Sequence, residues 1–166
     1  MAALLALTAC HHRPPATPES LAAQGQILPN APFKTTQQIT INAPPAKVWA
    51  LLTGIQSWPA WHNTIVQTAS PADVTPGTLF SYDTEGMTIR AAVQALQPER
   101  ELAWTGQVLN FRTIEVWTLR ANAAGGTDVT VSQSVSGFLI GFFYSEDDLV
   151  GADQSWLRDL KVAAET

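Results

Sequence analysis

Residues 39–65 read ITINAPPAKVWALLTGIQSWPAWHNTI, and three patterns follow one another within them. Over Gln37–Asn42 apolar and polar residues alternate: Ile39 and Ile41 point one way, Gln38, Thr40 and Asn42 the other. That period of two marks a strand with one buried face. Pro44 and Pro45 stop it, and proline suits the first turn of a helix. Val48, Leu51, Leu52 and Ile55 then recur at i, i+3, i+4, i+7, one face of a short helix, with Gly54 as its stop. Trp58-Pro59-Ala60-Trp61 predicts a second, very short helix or turn. Three of the six tryptophans of the chain fall in this stretch, so the question is whether they plug a core or guard a cavity.

Downstream the pattern is β. Strands are expected at 64–69, 78–84, 87–95, 101–107, 112–121 and 127–136. Turns are expected at 71–77, Glu85-Gly86, 98–100 and Ala124-Gly125-Gly126. Met87, Ile89, Ala91, Val93 and Ala95 read as one alternating set, and Leu102 and Trp104 share a face. Neighbouring strands joined by short turns favour an antiparallel meander. Ser145 followed by Asp148 reads as the N-cap of a last helix, with Leu149, Ala152, Trp156, Leu160 and Ala163 on its apolar face. GFLIGFFY (137–144) reads either as an early part of that helix or as a loop packed over something apolar. The fold class is therefore α+β: a curved antiparallel sheet of six to seven strands around a long C-terminal helix, with two short helices after the first strand.

The chain has 166 residues, 46% of them hydrophobic and only 14% charged, with a net charge of -5. This suffices for one domain with a sizeable core, and the absence of a basic stripe argues against a nucleic-acid partner. No apolar run reaches the length of a membrane-spanning helix. The single cysteine, Cys10, excludes an internal disulfide. The ending Leu7-Thr8-Ala9-Cys10 of the apolar segment 1–10 resembles the lipobox of bacterial lipoproteins. The resemblance implies lipidation of Cys10, a membrane anchor and a place in the bacterial cell envelope. The alternative is a frayed N-terminus with a free thiol on a cytoplasmic protein. Residues 11–36, rich in Pro, Ala, Gln and Thr, read as a flexible tether, leaving 37–166 as the folded domain. His11 and His12, without further ligands, make no metal site. No phosphate-binding glycine loop, nucleophile elbow or His–carboxylate metal motif is present, so the sequence calls for no metal and no cofactor.

ITINAPPAKVWALLTGIQSWPAWHNTI, RELAWTG (100–106) and GGTDVTVSQSVSGFL (125–139) together resemble the START-like superfamily. This is also the SRPBCC or helix-grip fold, and the likeness is to its bacterial polyketide cyclase/dehydrase-like branch, over residues 37–165. The resemblance implies a deep hydrophobic cavity between sheet and C-terminal helix that takes a small hydrophobic molecule such as a lipid, a quinone or an aromatic compound.

Strand parity selects its lining. On 127–136 the apolar Val129, Val131 and Val135 face inward and bring Gln133 with them. On 112–121 the family pattern turns Trp117 and Leu119 inward, and Glu115 with them; a slip of one residue would reverse this. The ligand-contacting set expected is Trp58, Trp61, Phe80, Tyr82, Trp104, Glu115, Trp117 and Gln133, with Trp58 and Trp61 also anchoring the short second helix. Glu115 carries three readings. It sits at a strand end, faces water or pairs with an arginine; or it orients a polar group of the ligand; or it is the acid–base group of a cyclase- or dehydratase-like enzyme, with Tyr82 or His62 assisting. His62 by itself reads as a polar surface residue. A binding protein is the first expectation and the enzyme the alternative. A chaperone-activating role, known in another branch of the superfamily, fits poorly with an export signal. Oligomeric state is undetermined by the sequence.

Overall fold

In the computed structural model, residues 16–142 and 144–166 are described; Cys10, His11 and His12 lie outside them. The elements are α1 (Pro18–Ala22), β1 (Phe33–Ile41), α2 (Pro45–Thr53), a 3-10 turn (Ile55–Ser57) and α3 (Trp58–Trp61). Then come β2 (Ile65–Ala69), β3 (Leu79–Thr84), β4 (Met87–Gln97), β5 (Glu101–Val108), β6 (Phe111–Ala121) and β7 (Thr127–Ser136). A second 3-10 turn (Ile140–Phe142) leads into α4 (Glu146–Glu165).

The seven strands form one sheet in the order β1-β7-β6-β5-β4-β3-β2, antiparallel throughout. After β1 the chain crosses to the far edge through α2 and α3, then meanders back until β7 pairs with β1. The sheet curls around α4, the helix-grip arrangement expected. Register shifts in β2, between Ile65 and Gln67, and in β4, between Val93 and Ala95, supply local bends. The second shift corrects the β4 parity. Ile89, Ala91 and Val93 face the helix as expected, but past the bulge Ala95 turns to the outer face and packs with Ala22 and Ala103.

α4 begins with the expected cap: the Ser145 hydroxyl accepts from the Asp148 amide and the Asp148 carboxylate accepts from the Ser145 amide. Its buried face is Leu149, Asp153, Trp156, Leu157, Leu160 and Ala164. This stripe is rotated from the one expected: Ala152 is exposed and Ala163 half-buried.

The second correction concerns the expected tether. From Thr17 onward the chain is folded. Thr17 and Ser20 form a capping box for α1. Leu21 and Ala22 pack with Ala95, Ala103, Ile114 and Val116 on the outer face of the sheet, where Ile27 and Leu28 join them. β1 accordingly starts at Phe33, four residues before the alternation at 37 shows. The physical cause is that Ala95, Ala103, Ile114 and Val116 put an apolar patch on the outer face, which needs a cover.

GFLIGFFY is a loop rather than an early part of α4. Ile140 is buried there against Val135 and Leu149, whereas Phe138 and Phe142 project into solvent.

Candidate functional site

Between the inner face of the sheet and α4 the space divides into a filled half and an open half. Trp58 fills the first. Its ring contacts those of Phe80, Tyr82 and Trp104 at centroid distances of 5.7 Å each and that of Trp156 at 5.0 Å. Its Nε1–H donates to the Leu52 carbonyl at 3.1 Å. Trp104 stacks on Trp117 at 6.4 Å. Trp61 sits at the edge of this cluster, stacked on His62 and edge-on to Trp156.

The open half is a cavity of about 750 Å³, within the size range of small-molecule sites. Its location follows from side-chain size along β5 and β6. One inward row reads Val93, Trp104, Glu115, Gln133 across neighbouring strands. The next row toward the β5–β6 turn reads Ala91, Gly106, Thr113, Val135. The first row carries one large ring, Trp104, and the second carries none; its Thr113 and Val135 line the hollow. A Cβ at Gly106 would lie 2.4 Å from the Thr113 hydroxyl, so the row closes up around a glycine.

Of the eight expected ligand residues, Tyr82, Glu115 and Gln133 line this cavity. Trp58, Phe80, Trp104 and Trp117 belong to the packed core instead, with Trp61 packed against it. Their rings pack on one another and none of the five lines the open half, although the indole N–H groups of Trp61 and Trp104 are left without a hydrogen-bond partner.

Glu115 is buried and faces inward, so the strand-end and water-facing readings do not hold. Its Oε1 accepts from the Trp117 indole Nε1–H at 2.9 Å, and among the described residues no arginine pairs with it. Gln133 is its direct cross-strand partner. Burial, with the nearby Asp153 carboxyl adding to it, pushes Glu115 up to about 8; the Trp117 hydrogen bond opposes this. Glu115 is therefore a neutral acid at pH 7. With Oε1 accepting from Trp117, its proton is available on Oε2. Burial likewise keeps the Tyr82 hydroxyl protonated, well above its ordinary range.

Two further buried polar residues lie outside the expected ligand-contacting set. Asp153, on α4, is buried, its Oδ2 has no hydrogen-bond partner, and burial raises it to about 8. The signal was legible: Asp153 stands four residues after Leu149 and three before Trp156, in the middle of an apolar stripe.

The other is His62, which is 1% exposed rather than a surface residue. Its Nδ1 lies 2.7 Å from Asp159 Oδ2 and its Nε2 lies 3.2 Å from the Thr64 hydroxyl. It packs on Trp156 at 4.0 Å and lines the cavity. Burial lowers its pKa against the opposing pull of Asp159. The ring is then neutral, with Nδ1–H donating to Asp159 and Nε2 accepting from Thr64. Nothing near residue 62 in the sequence points to a partner 97 positions away. Among the described residues no three His, Cys, Asp or Glu side chains converge as metal ligands.

A curled antiparallel sheet gripping a terminal helix, with a part-polar hollow between them, defines the helix-grip, START-like class. The chain belongs to the polyketide cyclase / dehydrase and lipid transport family, whose model matches residues 32–154. Its fold resembles that of the hypothetical protein jhp0584 from Helicobacter pylori at 16% identity, covering 82% of this chain and 91% of that one, with a TM-score of 0.73. It also resembles a START superfamily protein from Mycobacterium smegmatis at 13% identity, covering 80% and 97%, with a TM-score of 0.69. The di-domain ARO/CYC BexL of the BE-7585A biosynthetic pathway is similar at 16% identity, over 81% of this chain and 50% of that one, with a TM-score of 0.65. At such identities the likeness establishes the fold and not the activity. No curated protein matches this chain.

Proposed function

We propose that the domain binds a small, mainly apolar molecule carrying one hydroxyl or carbonyl group. The observation that carries this reading is a neutral carboxyl, Glu115, inside a cavity walled by Ile89, Phe111, Val135, Ile140 and Trp156. A charged ligand would find no opposite charge deep in that wall. A wholly apolar one would leave Glu115 Oε2, Tyr82 and Gln133 without partners, at a cost of about 1–3 kcal/mol for each unsatisfied group. A ligand with one hydrogen-bonding end answers both conditions. The family's hydrophobic-ligand character agrees with it.

The test is a pair of probes that differ in a single hydroxyl, 1-naphthol and naphthalene, together with mass spectrometry of compounds that co-purify. Wild type is expected to prefer the naphthol by about tenfold, the worth of one hydrogen bond (~1.4 kcal/mol). Glu115→Leu should bind both alike. Absence of binding by either probe, in protein freed of co-purified compounds, refutes the reading.

A second reading is favoured by His62. A neutral imidazole held by Asp159, with Nε2 on the cavity wall, has the orientation of a general base. In a cyclase- or dehydratase-like reaction it would take a proton from the bound molecule while Glu115 hydrogen-bonds the carbonyl oxygen. Turnover of a co-purified compound that is abolished by His62→Asn, with binding retained, would select this reading over simple carriage.

A further inference from the structure

Eight large apolar side chains are exposed among the described residues, and five of them, Met87, Leu109, Phe138, Leu139 and Phe142, stand at one end of the domain. That end is made by the β3–β4 turn, the β5–β6 turn, the loop after β7 and the start of α4. The Asn110 side chain ties two of these together by donating to the Phe138 carbonyl at 3.0 Å. It is also the mouth of the cavity, since Met87, Val108, Phe111 and Ile140 line both. Leu109, Phe138 and Phe142 are 78%, 76% and 81% exposed. Leu109 and Leu139 moreover hold φ of 52° and 61°, a left-handed conformation that glycine or asparagine adopts far more readily. Exposed leucines in strained turns do nothing for the stability of the free domain; they are suited to an apolar surround.

The path of the chain says which surround. α1 enters the fold at this same end: Glu19 pairs with Arg112, the second residue of β6, at 3.8 Å, and Pro18 and Gln107 border the same depression. Seven residues, 11–17, separate Cys10 from Pro18, and seven extended residues reach at most ~25 Å. An anchor at Cys10 of the kind the sequence leads one to expect therefore holds this end, not the far end of α4, against a membrane. The protruding side chains come from separate turns, as suits shallow immersion in lipid.

We propose that the rim Met87–Leu109–Phe138–Phe142 docks on a lipid bilayer and presents the cavity mouth to it. The docking stands independently of what the cavity holds. Glu85, Asp147 and Asp148 outnumber Arg158 around the mouth, so the rim gains nothing from anionic headgroups and takes a zwitterionic surface.

The test uses the full chain with Cys10→Ser, which removes any lipid anchor and the only cysteine. Into it go Phe142→Cys or, as control, Val162→Cys, an exposed site near the end of α4, each labelled with an environment-sensitive NBD dye. With phosphatidylcholine vesicles the dye at 142 is expected to shift to the blue and brighten at least twofold, while the dye at 162 stays unchanged. In flotation, Leu109→Ser with Phe142→Ser should lower the vesicle-bound fraction at least tenfold with an unchanged melting temperature. Adding phosphatidylglycerol should not raise binding. A dye at 142 that stays water-like, equal shifts at both sites, or a double variant that floats like its parent would each overturn the proposal.

Discussion

The two neutral acids beneath the aromatic cluster make stability depend on pH in a direction opposite to ordinary acid denaturation. Glu115 and Asp153 have ordinary values of 4.5 and 3.8 and are each raised to about 8 in the fold. Both take up a proton on folding at neutral pH. Their contribution is fully present below about pH 4 and is lost as pH rises through about 8. His62 works in the other direction: its folded pKa is lowered, so its contribution is lost as pH falls below 6.5. Between pH 6.5 and 8 His62 is mostly neutral in both states and the acids dominate. Each acid then weakens the fold by ~1.5 kcal/mol over this window, and the pair by ~3 kcal/mol. Against a typical total of ~5–15 kcal/mol this is a large fraction. Urea midpoints measured at intervals from pH 6.5 to 9 should fall steadily in wild type. Asp153→Asn should remove about half the slope or more, because it also relieves Glu115 of a neighbouring charge. Asp153→Asn with Glu115→Gln should leave the curve nearly flat. A wild-type midpoint that is level or rises over this window would refute the assignment of both acids as buried and protonated.

Two further outcomes follow from the geometry. Trp58 is fully buried among four aromatic rings, so Trp58→Ala should cost ~3–5 kcal/mol in urea denaturation. Asp159→Asn removes the partner that raises the His62 pKa, so NMR titration of the imidazole should show it falling further below its ordinary value than in wild type.

Most of the fold was legible in residues 37–166, because a curled sheet over a helix leaves its periodicities intact. Strand alternation gave the face of Val129, Val131 and Val135 directly, and Glu115 came inward with Trp117. The failures have local causes. The β4 bulge after Val93 shifted parity by one, which no run of alternating alanines and valines reveals. Residues 17–32 looked like a tether because a five-residue helix carries too few apolar positions to show a period. Their burial is written instead in β6, where Ile114 and Val116 are apolar on the face opposite Trp117 and Leu119 and so require a second cover.

The site was half legible for a related reason. Composition shows six tryptophans but cannot say which rings satisfy each other. Five of the eight expected ligand residues are occupied by mutual packing, and the cavity opens beside Thr113 and Val135, in a row that carries no ring. Two buried polar groups outside the expected set, Asp153 behind the cavity wall and His62 on it, both depend on α4. Asp153 interrupts that helix's apolar stripe, and Asp159 reaches His62 from nearly two turns further along. The sheet supplies Tyr82, Glu115 and Gln133 to the cavity wall, and α4 adds the carboxylate that holds His62 there. The long helix couples the two sides of the site, because Asp153 acts on the neutral acid of β6 and Asp159 on the imidazole after α3.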